Sequence, residues 1–278
     1  MTPGPFVADS STAGLTAQLA ETWASLVGLC SSLTDAEWEL ATACPAWSVR
    51  DQVAHVVGTE SILAGRPSPT PLEDRPPHVH NDIGASNEAW VLTWRDRPTT
   101  ELLVALQEVT TSRLDALGAM TDDDFAAPSW TPIGQATYGR FMQIRVFDCW
   151  VHEQDIRAAT GRPGHESGPA AEQSVDEVVR ALGYLVGKKA GAPTGSRVTI
   201  SLTGPVVRTV HVAVDGRAAL VESLDGPPSV SVALGSTLFV ALGCGRVDPA
   251  IALAGGEIEL SGDVELAGRV AGALAFTM

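Results

Sequence analysis

Residues 140–157, RFMQIRVFDCWVHEQDIR, decide how the first half of the chain folds. Phe141, Ile144, Phe147, Trp150, Val151 and Ile156 recur at helical steps and mark a helix buried over most of its surface. Arg145, Asp148, His152 and Asp155 interrupt it at steps of three, four and three, which lines them along one face. Burying such groups costs about 2–7 kcal/mol for a polar group, and more for a charge, unless each finds a partner. Asp148 and His152, one turn apart, offer a carboxylate oxygen and an imidazole nitrogen to one metal ion. A further ligand from another helix would complete a three-ligand site with positions left for water or substrate. The competing reading of these residues is a polar network between helices.

Upstream, residues 44–60 read CPAWSVRDQVAHVVGTE. Ser48 as N-cap, Asp51 at the third helical position, and Val49, Val53, Val56 and Val57 predict a helix that starts near Ser48. His55 sits between Ala54 and Val56 with little local reason to be there, and is the natural third ligand; a hydrogen-bonded core histidine is the alternative. Leu15, Leu19, Trp23, Leu26 and Cys30 predict a helix within residues 10–33. Further helices are expected over residues 81–97 and 99–120, parted by Pro98. The acidic run 121–125 reads as a solvated helix start, 128–137 as a loop, and 138–160 as the long helix, stopped by Gly161, Pro163 and Gly164.

The texture then changes, placing a helical domain over residues 1–164 and an α+β domain over 165–278. After a helix over 169–189, RVTISLTG, VVRTVHVAV, RAALVES and SVSVALG read as strands, with turns at Gly204-Pro205 and Asp215-Gly216. A helix near 237–243, a strand over 257–261 and a helix over 264–275 complete the chain.

The 278 residues carry 18 basic and 33 acidic side chains, a net charge of −15, so nucleic acid and anionic membrane surfaces are excluded as partners. No apolar run approaches the ~20 residues that span a bilayer. Four scattered cysteines and no signal segment predict a reduced cytoplasmic setting. Arginine in place of lysine, with abundant Ala and Gly, suggests a GC-rich genome of the actinobacterial kind. His78 and His80 form an HxH pair in a Pro-rich loop and read as incidental, His165 and His211 as structural, Cys149 as core and Cys44 as a buried structural thiol. Trp47, Trp90, Trp94 and Trp150 are candidates to line the bundle pocket or to fill plain core.

CPAWSVRDQVAH at residues 44–55 and RVFDCWVHEQD at 145–155 together resemble the signature stretches of the mycothiol-dependent maleylpyruvate isomerase family, within the DinB-like metal-binding four-helix bundles. GCGRVDPAIALAGGEIELSGDVELA at 243–267 resembles the end of the sterol-carrier-like domain that these proteins carry. The resemblance implies zinc held by His55, Asp148 and His152, although the family usually has glutamate at the place of Asp148. It implies a catalytic arginine at Gly245-Arg246, where pairing with Asp248 to fix a turn is the alternative. Arg145 and Asp155 would orient the ligands. Mycothiol would be the co-substrate, its thiolate attacking a small electrophile that carries a carboxylate, for transfer or isomerisation. A non-catalytic binder of apolar ligands and a metal-dependent hydrolase of the same fold stay open on the sequence.

Overall fold

The structure, a computed structural model, describes residues 6–277. It divides into two compact units, residues 9–165 and residues 166–277 with 6–8. The first contains α1 (Thr12–Cys30), the single turn α2 (Asp35–Trp38), α3 (Val49–Leu63), α4 (Asp82–Arg95), α5 (Thr99–Gly118), the short α6 (Asp122–Ala126), a hairpin of β1 (Pro128–Thr131) and β2 (Gly134–Thr137), and α7 (Tyr138–Thr160). The long helices α1, α3, α5 and α7 close into a four-helix bundle, in which α1 packs on α5 and α7 and α3 packs on the same two. α4 covers α3 from outside the ring.

Local chemistry sets the helix starts. The Ser48 hydroxyl accepts from the Asp51 N–H, and the Asp51 carboxylate accepts from the Ser48 N–H at 2.9 Å, which closes a capping box at the head of α3. Thr121 closes such a box with Asp124 on α6, and Ser11 and Asn81 cap α1 and α4 by a single side-chain bond, each cap contributing about 0.5–2 kcal/mol. Gly161, at φ +64°, ends α7 in the left-handed region. α3 and α4 approach so closely that a Cβ on Gly58 would stand 2.5 Å from Cγ of Trp90. Enclosed by α4, α5 and α7, α3 buries Gln52, His55 and Glu60 along with its valines, so these polar groups must be satisfied inside the bundle.

Three readings need correction. Residues 128–137 form the β1–β2 hairpin rather than a loop. It turns at Pro132-Ile133, and β1 is held by packing on α7 rather than by a buried stripe of its own; Trp130 and Ile133 are exposed. α1 ends at Cys30 and the last helix at Gly272, three residues short of the ends expected for each. The helical turns Asp35–Trp38 and Pro249–Ala254 were not foreseen, since helices of four and six residues carry too little periodicity to read.

The second unit holds α8 (Pro169–Tyr184), which runs into a π-helical turn Leu185–Lys189, then β3 (Arg197–Thr203), β4 (Arg208–Asp215), β5 (Arg217–Val221), β6 (Val230–Gly235), α9 (Ser236–Gly243), α10 (Pro249–Ala254), β7 (Ile258–Gly262) and α11 (Val264–Gly272). The sheet order is β5-β4-β3-β6-β7; β3 and β6 are parallel and the other pairs antiparallel. Val210, Val212 and Val214 of β4 and Val230, Val232 and Leu234 of β6 alternate into the core. α8 packs on β4 and β5 and α11 on β6 and β7. Asp176 of α8 pairs with Arg208 and accepts the N–H groups of Val7 and Ala8, both at 3.0 Å, which ties residues 6–8 to this unit. Among the described residues, no helix is long and apolar enough to cross a membrane.

Candidate metal centre

The polar face of α7 turns toward α3. Nε2 of His55 lies 3.0 Å from Oδ2 of Asp148, and Nε2 of His152 lies 3.4 Å from Oδ1 of the same carboxylate. The imidazole centroids are 4.7 Å apart. One ligand atom from each residue falls within 4.8 Å of the other two, which no other trio of His, Cys, Asp or Glu achieves among the described residues. Both imidazoles are buried, while the Asp148 side chain is 28% exposed and opens the cluster on one side.

The donor set suits a divalent cation. Ligands about 2.0–2.1 Å from a tetrahedral zinc stand about 3.3–3.4 Å from one another; the two imidazole–carboxylate contacts, 3.0 and 3.4 Å, are of that order but run to different Asp148 oxygens, and the set of one atom per residue reaches 4.8 Å. Two imidazole nitrogens and a carboxylate oxygen are donors that zinc accepts. The Nδ1 atoms of His55 and His152 are buried without a hydrogen-bond partner. Asp155 Oδ2 stands 3.6 Å from Nδ1 of His152, in reach of its charge but short of a hydrogen bond.

Arg145 lies between this cluster and the bundle interior. Its Nη1 pairs with Oδ2 of Asp148, its Nε donates to Oε1 of Glu60 at 2.8 Å, and its Nη2 donates to Sγ of Cys149 at 3.1 Å. The other Glu60 oxygen accepts from Nε of Arg113 at 2.9 Å, and Nη2 of Arg113 donates to the Tyr138 hydroxyl at 2.9 Å. Burial works against the charge on Asp148, but Arg145 and the two imidazoles outweigh it and hold the carboxyl well below its ordinary range. Burial pulls His55 down, and Asp148 restores only part of the loss, so this imidazole is held neutral. Burial also pulls on His152, yet the charges of Asp148 and Asp155 prevail and raise it. The Cys149 thiol is pushed up to about 12 by burial, the pull of Arg145 offsetting only part of it, which makes it a poor nucleophile.

Trp47 roofs the pair of imidazoles, its ring centroid 5.2 Å from His55 and 5.8 Å from His152. The turn before α3 delivers it, with Ala46 at φ +64°. Its Nε1–H donates at 2.9 Å to Glu88, a carboxylate 1% exposed that also meets Nε2 of His78 at 3.1 Å. Trp47 and Ala46 also line an open polar cavity of about 490 Å³, with Glu39, Arg50, Asp51 and Arg95.

The structure places Arg145, Asp148, His152 and Asp155 on one face, as their spacing suggested, and brings His55 to it from α3. Of the four tryptophans, Trp47 lies against the histidines with its ring tilted to both; Trp90 packs at Gly58, Trp94 is buried on α4, and Trp150 donates to the His165 carbonyl. His78 is engaged with Glu88, while His80 is exposed. Cys44 is half-buried rather than buried, because it sits on the turn that carries Trp47 and not inside a helix. His165 pairs with Glu153 at 2.8 Å and His211 with Thr199 across β3 and β4 at 3.0 Å. In the second unit Arg246 follows Gly245, at φ +67°, and donates to the Cys244 carbonyl at 3.2 Å; Asp248 caps α10. Sequence reasoning missed Glu60, Arg113 and Glu88. The signal was a charge on the buried face of each of three helices, and its meaning depended on which helices met.

A helical bundle bearing a His–Asp–His cluster, joined to an α+β unit, defines a class of two-unit proteins with metal-capable bundles. The family profile for the mycothiol maleylpyruvate isomerase N-terminal domain matches residues 19–157, and that for the C-terminal domain of the same proteins matches residues 172–269. The chain therefore belongs to the mycothiol-dependent maleylpyruvate isomerase family. A crystal structure of the mycothiol-dependent maleylpyruvate isomerase is similar to it over 90% of this chain and 92% of that one, with 14% identity and a TM-score of 0.57. A variant of that enzyme with a histidine replaced by alanine aligns over the same shares with 13% identity and a TM-score of 0.54. No curated protein matches by sequence.

Proposed function

We propose that the chain is a zinc-dependent, mycothiol-using transferase or isomerase acting on a small electrophile, with His55, Asp148 and His152 as the metal ligands. The observation that carries this reading is the convergence of three ligand atoms within 4.8 Å from helices whose contributions lie 93 residues apart. Zinc held there would supply the positive charge that lowers a thiol pKa and yields a thiolate at neutral pH. Arg113 and Arg145 match Glu60 and Asp148, and Asp155 leaves one negative charge uncompensated beside His152. A dication would then retain one positive charge for a thiolate to meet. Aspartate in place of the family's usual glutamate fits the same reading, because α3 and α7 pack closely enough for the shorter side chain to reach both imidazoles. Trp47 would keep water off the buried side of the imidazoles. Arg246 is proposed, on its place in the family pattern, to hold the carboxylate of the electrophile or a developing enolate.

Zinc titration by calorimetry, with and without mycothiol, tests the proposal. The expected result is about one zinc per chain, with mycothiol bound by the zinc form alone. Absence of zinc binding rejects the catalytic reading in favour of a ligand-binding protein, and turnover without thiol points to hydrolysis instead. Arg246→Ala should retain its zinc and lose turnover.

A further inference from the structure

We infer that Glu60 is a positioning residue for the metal centre, fixing Arg145 so that Arg145 fixes Asp148. The inference rests on the assignment of His55, Asp148 and His152 as zinc ligands. Glu60 is fully buried and the side chains of Arg113 and Arg145 are 3% exposed, so these charges meet one another and not water. Such ion pairs are a poor way to stabilise a bundle, because well-packed apolar residues of similar volume commonly do as well or better. Folding alone therefore gives little reason for two arginines and a glutamate in this position.

The geometry supplies another reason. The guanidinium of Arg145 is a rigid planar fork. With its Nε held on Glu60 and its Nη2 on Cys149, its Nη1 has one place to be, against Oδ2 of Asp148. Asp148 is the most exposed of the three ligands, so its carboxylate depends on such a restraint to keep both oxygens on the imidazoles. Arg113 holds the other Glu60 oxygen, so the carboxylate lies between two guanidinium groups. Three helices thus contribute to the placement of one carboxylate: Arg113 from α5, Glu60 from α3 and Arg145 from α7.

The test compares zinc affinity, measured by competition with a chromophoric chelator, in the wild-type chain, Glu60→Leu and the double variant Glu60→Leu/Arg113→Met. Leucine offers no acceptor, so Arg145 loses its anchor. Affinity should fall at least about tenfold, as for other groups that orient metal ligands. The double variant restores the charge balance, so its urea midpoint should recover while its zinc affinity stays low; it also gives the answer if the single variant does not fold. Wild-type zinc affinity in Glu60→Leu, or recovery of affinity together with stability in the double variant, would overturn the inference. A wild-type chain that takes up no zinc would instead overturn the ligand assignment itself, and the inference with it.

Discussion

Helix α7 carries two buried histidine–carboxylate clusters on different sides, and they are built to different ends. Toward α3, two imidazoles converge on one partly exposed carboxylate, and each leaves Nδ1 without a hydrogen-bond partner. Toward α1, Glu153 is fully buried and saturated: Oε1 accepts from Ser25 at 2.6 Å and from Arg157 at 2.8 Å, and Oε2 meets Nδ1 of His165 at 2.8 Å. Arg157 in turn reaches Ser25 at 3.1 Å and the Arg162 carbonyl at 3.1 Å, so the carboxylate of the second cluster is enclosed, although Nε2 of His165 is buried without a hydrogen-bond partner. Glu153 faces three donors, of which one is a histidine, and has no exposed side. Asp148 faces Arg145 and two imidazoles and is partly open, the arrangement on which the proposed cation site rests. Residue type alone does not separate them, since both read as His with Asp or Glu; the number of histidines per carboxylate and the exposure do.

Zinc binding should break the symmetry most strongly. His152→Ala is expected to lose its equivalent of zinc in elemental analysis, whereas His165→Ala keeps it; a full equivalent retained by His152→Ala would sink the ligand assignment. Stability should show the reverse order. Glu153→Ala strands Arg157 and His165 and is expected to cost about 3–5 kcal/mol in urea unfolding, with zinc stoichiometry unchanged. A loss below about 1 kcal/mol would mean that the second cluster is no fastening.

The smallest effect concerns pH. Burial pulls the His165 imidazole down, but its hydrogen bond to Glu153 and the charges of Glu153 and Glu21 raise it above its ordinary value of 6.5. A group whose folded pKa lies above the unfolded one stabilises fully below the unfolded pKa, and that contribution fades as pH climbs through the folded value. His165 has φ +54°, a conformation that asparagine tolerates, so His165→Asn is the suitable control. The gap in urea midpoint between wild type and His165→Asn should therefore be wider at about pH 5.5 than at about pH 8.5. Equal gaps would show that the pair is not ionic.

Much of the candidate site was legible because it is local. The steps from Arg145 to Asp155 fix a common face on any helix, and α7 spans Tyr138–Thr160 as its apolar pattern and the Gly161 stop required. Ser48 and Asp51 announced the start of α3 for the same reason: a capping box is a contact between residues three apart. The hairpin at residues 128–137 was not legible, because packing on α7 sustains it in place of any periodicity. Glu60, Arg113 and Glu88 were equally hidden, each being a single charge whose partners come from other helices or a distant turn.

The sequence by itself determined the helical and α+β halves, the start of α3, both ends of α7, and the face on which Asp148 and His152 stand, since each follows from interactions within a few residues. Only the tertiary structure decided that His55 meets that face from 93 residues away, that Trp47 covers it, and that Arg113 and Glu60 brace it. Those distances arise from how α3, α5 and α7 pack, and packing depends on the whole set of side chains in the bundle rather than on any one segment.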